Sequence, residues 1–138
     1  MAVHTSSIAL SAQGFSDVLD LTDRVREIVS RSSVSEGSVT LFVPGSTAGI
    51  TTIEFESGVI EDLKDAIERL VPQDISYAHN ARWGDGNGFS HVRAALMGPS
   101  LTVPFSKREL LLGTWQQIVL VDFDNRPRKR EIVVQVTG

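Results

Sequence analysis

Two histidines and an aspartate in one loop region form the main candidate for chemistry in this sequence. His79 and His91 lie 12 residues apart, and Asp85 lies midway between them. Such residues can supply nitrogen and oxygen ligands to a divalent metal, or acid and base groups beside an anion. The spacing matches no standard zinc motif, so two ordinary loop histidines that cap turns remain the alternative. The remaining histidine, His4, lies near the N-terminus and is interpreted as incidental.

Two loop segments offer further polar contacts for a ligand. Ser46 and Thr47 lie in the segment Pro44–Gly49 between two expected strands. No neighbouring base makes Ser46 the nucleophile of a catalytic triad, so this pattern argues against a hydrolase. The run Gly84–Gly88 could cradle a phosphate with its backbone N–H groups if a helix begins after it, and a simple turn is the alternative.

Charged residues cluster at two other places. Glu54 and Glu56 share one face of a strand if that strand continues so far, and paired carboxylates bind metals or transfer protons. A solvated strand end explains them equally well. The basic run Arg126–Arg130 could meet phosphates, but such a run is more often a solvated hairpin turn. We therefore expect that replacing Arg128, Lys129 and Arg130 by Ala leaves the fold intact.

The elements that must position these residues follow from hydrophobic periodicity. Helical spacing of apolar residues occurs in two segments, residues 21–29 and Ser57–Leu70, and Ser90–Met97 is a candidate short helix. Strand patterns cover residues 3–12, 38–43 and 48–55, and several further strands follow between 101 and 136. Residues 73–90 form the longest irregular stretch, and Trp115 is interpreted as a core or interface aromatic. The pattern predicts an α+β fold, a mainly antiparallel β sandwich with two principal helices in a single compact domain, residues 1–138.

Composition excludes several classes of protein. The chain of 138 residues has a net charge of -4 and no cysteine, which rules out a disulfide framework, a thiolate zinc site and a cysteine nucleophile. The acidic balance argues against nucleic acid as a partner. Its apolar runs are far shorter than the ~20 residues of a membrane span, and no signal peptide is apparent. We therefore expect a cytoplasmic protein with no membrane partner.

Specific strings of the sequence resemble a known family. The C-terminal strings are GPSLTVPF at 98–105, LLLGTWQQIVLVDFD at 110–124 and RPRKREIVVQVTG at 126–138. Together with FVPGSTAGITTIEFESGVIEDL at 42–63, they resemble the YjbQ-like family, also called the secondary thiamine-phosphate synthase family and formerly an uncharacterised protein family. The resemblance covers almost the whole chain.

The resemblance implies a compact α+β sandwich that assembles as a homotrimer, with polar family positions gathered in a pocket near a subunit boundary. Carried over by motif, these positions are Glu54, His79, Asp85, His91, Ser100, Thr114 and Gln116. Many members have His where this chain has Ser46, and the departure removes one potential ligand or base. The resemblance also leads us to expect that the two imidazoles converge on one cavity, with Glu54 close by.

The activity that the resemblance implies is thiamine-phosphate synthesis, in which a pyrimidine methyl pyrophosphate and a thiazole phosphate join and expel pyrophosphate. A divalent metal, Mg²⁺ or Zn²⁺, would assist the leaving group. The residues implied as catalytic are Glu54, His79 and His91. The residues implied as metal ligands are His79, Asp85 and His91. Ligand contacts fall to Ser46, Thr47, Asp85, Arg93, Ser100, Thr114 and Gln116. The alternative is a non-catalytic trimer that binds a metal or a small phosphorylated metabolite.

Overall fold

The computed structural model describes all residues, 1–138, as eight strands and four helices. The strands are β1 (Val3–Ala12), β2 (Asp17–Asp20), β3 (Glu36–Phe42), β4 (Ala48–Ile53), β5 (Ser100–Ser106), β6 (Glu109–Leu110), β7 (Gln117–Asp122) and β8 (Arg128–Thr137). The helices are α1 (Thr22–Arg31), α2 (Ser57–Leu70), α3 (Ala78–Trp83) and α4 (Gly88–Met97).

Two antiparallel sheets form the framework of the fold. The larger sheet has the strand order β1-β8-β3-β5-β6, and the smaller sheet has the order β2-β7-β4. Every strand pair is antiparallel. The predicted α+β class and the mainly antiparallel sheets are confirmed, with four helices in place of the two principal ones expected.

The central strand of the smaller sheet, β7, is buried on both faces. Ile118 and Leu120 belong to the apolar core between the two sheets. Val119, Val121 and Phe123 point the other way, into a second apolar cluster beneath the helices α2 and α4. Because side chains alternate across a strand, a continuous apolar run is what a strand covered on both faces requires.

Helix α2 has the bounds that its periodicity predicts, and it covers the smaller sheet with Ile60, Leu63 and Ile67. Its N-terminal cap is Glu56, whose carboxylate accepts hydrogen bonds of 2.8 Å from the N–H groups of Gly58 and Val59. These hydrogen bonds lower the pKa of Glu56. Glu56 therefore ends a turn as a helix cap, rather than pairing with Glu54 along a strand. None of the four helices has the length and hydropathy that crossing a bilayer would need.

A pair of short helices occupies half of the stretch, residues 73–90, that was expected to be irregular. Helix α3 lies within it, and α4 begins at Gly88, two residues before the predicted start. Gly84 ends α3 in the left-handed conformation, with φ of 71°. A Cβ on Gly88 would lie 2.6 Å from the Cβ of Tyr77, so the start of α4 approaches the start of α3 closely only with glycine at this position.

Candidate functional site

The helices α3 and α4 bring two imidazoles into contact. His79 belongs to α3 and His91 to α4, and their ring centroids lie 4.4 Å apart with an angle of 38° between the ring planes. The close approach at Gly88 allows this contact, because it holds the two helices together just before His91. The two rings are therefore in contact, although only His91 lines a cavity.

One nitrogen of the imidazole pair is shielded but has no hydrogen-bond partner. His79 Nδ1 lies 3.2 Å from Asp85 Oδ1, but the two atoms do not form a hydrogen bond. The exposed fraction of the Asp85 side chain is 49%, and that of the His79 side chain is 30%. A buried ring nitrogen without a hydrogen-bond partner is uncommon in folded proteins, and this one lies beside a carboxylate.

A cavity of about 250 Å³ opens beside the imidazole pair. Its wall combines one imidazole with small side chains, namely Gly45, Ser46, Ala48, His91, Ala94, Ala95 and Pro99. Ser46, a predicted ligand contact, therefore shares this cavity with His91. His79 lies behind His91 through the ring contact. We call this space the imidazole cavity.

The glycine-rich loop connects the helices α3 and α4, and two of its N–H groups, those of Gly84 and Gly88, are used within the chain. The N–H of Gly88 donates to Asn80 Oδ1 at 2.8 Å, so it is occupied within the chain. The side-chain amide of Asn87 lies between two carboxylates. In one orientation its nitrogen donates to Asp85 at 3.0 and 3.2 Å, and in the other it lies 3.4 Å from Asp124 Oδ1. Asn87 thus connects the loop to a buried group of charges.

That buried group consists of two ion pairs that sequence reasoning missed. Arg130 donates to Asp122 from Nε at 2.7 Å and from Nη2 at 3.1 Å, and Arg128 Nε donates to Asp124 at 2.8 Å. Both aspartates are fully buried, and the Arg130 side chain is 10% exposed. The interpretation of the basic run as a solvated turn is wrong for Arg130, because β8 begins at Arg128 and carries alternate residues inward.

A signal for these ion pairs was present in the sequence. Asp122 and Asp124 are two residues apart at the end of one strand pattern, and Arg128 and Arg130 are two residues apart at the start of the next. Residues spaced by two along a strand share a face, so two such pairs on adjacent chain segments predict a charge cluster.

Thr47 belongs to this charge cluster. Its hydroxyl donates to Asp124 at 3.0 Å and accepts from Arg130 Nη2 at 2.8 Å. Burial opposes ionisation of Asp124, but hydrogen bonds from the Asn125 N–H, Arg128 and Thr47 outweigh it, and the pKa of Asp124 lies below its ordinary value. Thr47 was predicted to contact a ligand, and in the structure its side chain is hydrogen-bonded within the charge cluster instead.

Glu54 lies in a different cavity from the imidazoles. This second cavity, of about 360 Å³, is lined by Glu54, Phe55, Glu56, Thr114, Trp115 and Gln117. Within one chain the expected proximity of Glu54 to the imidazole pair is therefore absent, and Glu54 accompanies Thr114 instead. Trp115, interpreted as a core or interface aromatic, is 72% exposed and is not part of the core of the chain.

Three other predicted contacts have different surroundings. The Arg93 guanidinium donates to Val71 O and Ser16 Oγ and pairs with Glu68, so its donors are occupied by the protein. Gln116 holds a turn by accepting from the Gly113 N–H and donating to Thr52, each at 3.0 Å. Ser100 is exposed at the start of β5, next to Pro99 of the imidazole cavity.

The predicted metal ligands do not form a complete metal centre within one chain. No three His, Asp or Glu side chains converge so that they could hold one ion. His79, Asp85 and His91 are neighbours in pairs, through a 3.2 Å contact and a ring contact, but they do not surround one point. The residues therefore do not fit the expected Mg²⁺ or Zn²⁺ in this arrangement.

Comparison with known proteins shows the family of the chain. The family model described as UPF0047 protein YjbQ-like matches residues 6–138. A UPF0047 protein of Methanothermobacter thermautotrophicus is 38% identical over 138 residues, which cover all of this chain and 94% of the relative. One of Mycobacterium tuberculosis is 43% identical over 115 residues, 83% of this chain and 84% of the relative. The crystal structure of a YbjQ-like protein from Sulfolobus solfataricus has a TM-score of 0.94 at 33% identity, and the match covers 99% of this chain and 98% of that one. The chain belongs to the YjbQ-like, UPF0047 family.

Proposed function

We propose that the protein is a small cytoplasmic transferase that acts on phosphorylated heterocycles, with thiamine-phosphate synthase-like activity. The observation that supports this proposal is the contact between His79 and His91 at the wall of the imidazole cavity. Two adjacent imidazoles can donate hydrogen bonds or protons to a phosphate group that leaves.

The proposed reaction needs no oxidant or reductant. The ring nitrogen of the thiazole phosphate attacks the methylene carbon of the pyrimidine methyl pyrophosphate. A C–N bond forms, the C–O bond to pyrophosphate breaks, and pyrophosphate leaves with the electron pair of that bond. One protonated imidazole of the pair would stabilise the charge that develops on the leaving group, with His91 lining the cavity and His79 in contact with its ring, and the Ser46 hydroxyl would add one hydrogen bond.

The proposal includes assembly as a homotrimer, in which a second copy would bring Glu54 to the imidazole cavity. Glu54 lines a separate cavity in the single chain, so the catalytic set of Glu54, His79 and His91 is incomplete there. Trp115 and Phe55 at that second cavity are 72% and 44% exposed, and exposed aromatic groups of this size often mark interfaces. Burial of these side chains against another copy would join the two cavities.

A second candidate function is binding without catalysis. The imidazole cavity, at about 250 Å³, lies below the ~300–1,000 Å³ that is usual for ligand pockets. It suits one small phosphorylated heterocycle better than the two precursors together. This size favours a trimer that binds a single phosphometabolite, unless association of chains enlarges the site.

The test is a turnover assay on the purified protein with both precursors. The transferase proposal predicts that thiamine phosphate and pyrophosphate appear in equal amounts and that His91→Asn abolishes both. His4→Asn is the matched control, since His4 lies on β1, away from the helices that carry the imidazole pair. Binding of one precursor without product would support the binding function and contradict the transferase.

A further inference from the structure

The guanidinium of Arg130 is held rigidly beneath the segment that precedes β4. Its Nε and Nη2 both donate to Asp122, and Nη2 also donates to Thr47 Oγ1 at 2.8 Å. The side chain is 10% exposed, so most of it is enclosed by protein. Three hydrogen bonds on two nitrogens fix the plane of the guanidinium and therefore the direction of the third nitrogen, Nη1.

This third nitrogen is free, because Nη1 of Arg130 makes no hydrogen bond within the chain. Two side-chain polar atoms of the chain are both buried and without a partner, namely His79 Nδ1 and Ser90 Oγ. Arg130 Nη1 is not one of them, so it is in contact with solvent. A Cβ built on Gly45 would lie 3.0 Å from Nη1, and Gly45 lines the imidazole cavity. The free donor of Arg130 is therefore positioned at the edge of this cavity.

Backbone donors lie in the same segment. The N–H groups of Ser46 and Thr47 donate to no group in the chain, whereas the N–H of Gly45 donates to Val43 O. Successive free N–H groups in a turn form a concave site that favours anions. The Ser46 side chain adds a hydroxyl to the same cavity wall.

The charges beneath the cavity do not oppose an anion. Asp122 and Asp124 are each paired with an arginine, so this group of four side chains has no net charge. The free donor belongs to a cation, and charge-assisted hydrogen bonds to phosphate oxygens are stronger than neutral ones. Protonation of His91, which also lines this cavity, would add further positive charge.

We propose that Arg130 Nη1 and the N–H groups of Ser46 and Thr47 form the phosphate subsite of the imidazole cavity. The ligand class is a phosphate monoester or a pyrophosphate group, and Arg130 acts as a binding residue through Nη1. The inference rests on the proposed function, because it names the part of that site which holds the charged end of the substrate.

The decisive variant is Gly45→Ala, whose Cβ would lie 3.0 Å from Nη1 and obstruct it, while Asp122 and Thr47, the partners of Nε and Nη2, are unchanged. Gly45 does not have the positive φ that would strain alanine. The matched control is Gly113→Ala, where a Cβ would meet its nearest neighbour at 3.6 Å. Binding of inorganic pyrophosphate is measured by titration calorimetry, and melting temperature is recorded for each variant. We expect binding at least 10-fold weaker in Gly45→Ala and unchanged in Gly113→Ala.

A second variant, Arg130→Lys, keeps a cation opposite Asp122 but lacks Nη1, and it should lose pyrophosphate binding to a similar extent. Lys129→Ala removes a neighbouring exposed cation and should bind as the wild type does. Failure of the wild type to bind pyrophosphate, or binding by folded Gly45→Ala within twofold of the wild type, would overturn the inference. If the wild type binds pyrophosphate, Gly45→Ala weakens that binding and no turnover is found, the phosphate subsite is supported and only the transferase proposal is contradicted.

Discussion

The rings of His79 and His91 are in tilted contact, with centroids 4.4 Å apart, although they belong to different helices and lie 12 residues apart in the sequence. The contact depends on a helix–loop–helix unit whose second helix begins at a glycine pressed against Tyr77. One ring lines the imidazole cavity and the other supports it while a carboxylate approaches its Nδ1. This relationship is the basis for assigning chemistry to the site.

Substitution of either histidine should remove ligand binding while preserving the fold. Both side chains are partly exposed, so His79→Ala and His91→Ala should each cost no more than about 1 kcal/mol of unfolding free energy. Binding of the pyrimidine methyl pyrophosphate, measured by titration calorimetry, should fall below detection in both variants. Retention of binding in both variants, with His4→Ala as the control, would contradict the assignment of the site.

Arg130 should contribute strongly to stability, in contrast to the expectation from the sequence. Arg130→Ala would leave the fully buried Asp122 without its partner, and breaking a buried pair typically costs about 3–5 kcal/mol. Lys129→Ala, one position away and exposed, should stay within about 0.5 kcal/mol of the wild type. Urea unfolding of both variants makes the comparison, and equal stabilities would contradict the structural role of the ion pair.

The lowered pKa of Asp124 predicts a specific loss of stability in acid. A carboxyl group whose folded pKa lies below its unfolded value, about 3.9, stabilises the fold fully above that value. The contribution is lost as the pH falls through the lower, folded pKa. The difference in unfolding free energy between the wild type and Asp124→Asn should therefore be constant from pH 7 to about pH 5 and shrink below about pH 4. A difference that stays constant down to pH 2 would show that the charge of Asp124 does not stabilise the fold.

Exposed Trp115 should be needed for assembly but not for folding. The homotrimer proposal predicts a mass of three chains by light scattering for the wild type and of one chain for Trp115→Glu. The control is Trp83→Glu, because Trp83 is similarly exposed, at 70%, but lines neither the Glu54 cavity nor the imidazole cavity. A monomeric wild type at micromolar concentration would contradict the trimer, and so would a trimeric Trp115→Glu.

Regular elements with a clear apolar period were predictable from the sequence. Helix α2 has its predicted bounds, because its apolar residues repeat at helical spacing and Pro72 follows its end. Helix α3 was not predicted, since six residues are too few to establish a period. Its stability comes from contacts with α4, which depend on tertiary packing rather than on local sequence.

The candidate site was predictable in part, for a related reason. The loop between His79 and His91 and the family resemblance led us to expect both rings in one cavity; the rings are in contact, but only His91 lines the cavity. The separation of Glu54 was not foreseen: Ala48 of the imidazole cavity begins β4, whereas Glu54 follows the end of that strand. The role of Arg130 was missed because a run of basic residues was interpreted by its composition and not by the alternation of a strand.

The most direct measurement of the central claim follows the three histidine rings by NMR while the pyrimidine methyl pyrophosphate is added. The account predicts that the ring signals of His79 and His91 shift together and saturate at one ligand concentration. His4, on β1, is the internal control and should not move. Saturating ligand that leaves the signals of His79 and His91 unchanged, or that shifts His4 equally, would contradict a phosphometabolite site at the imidazole pair.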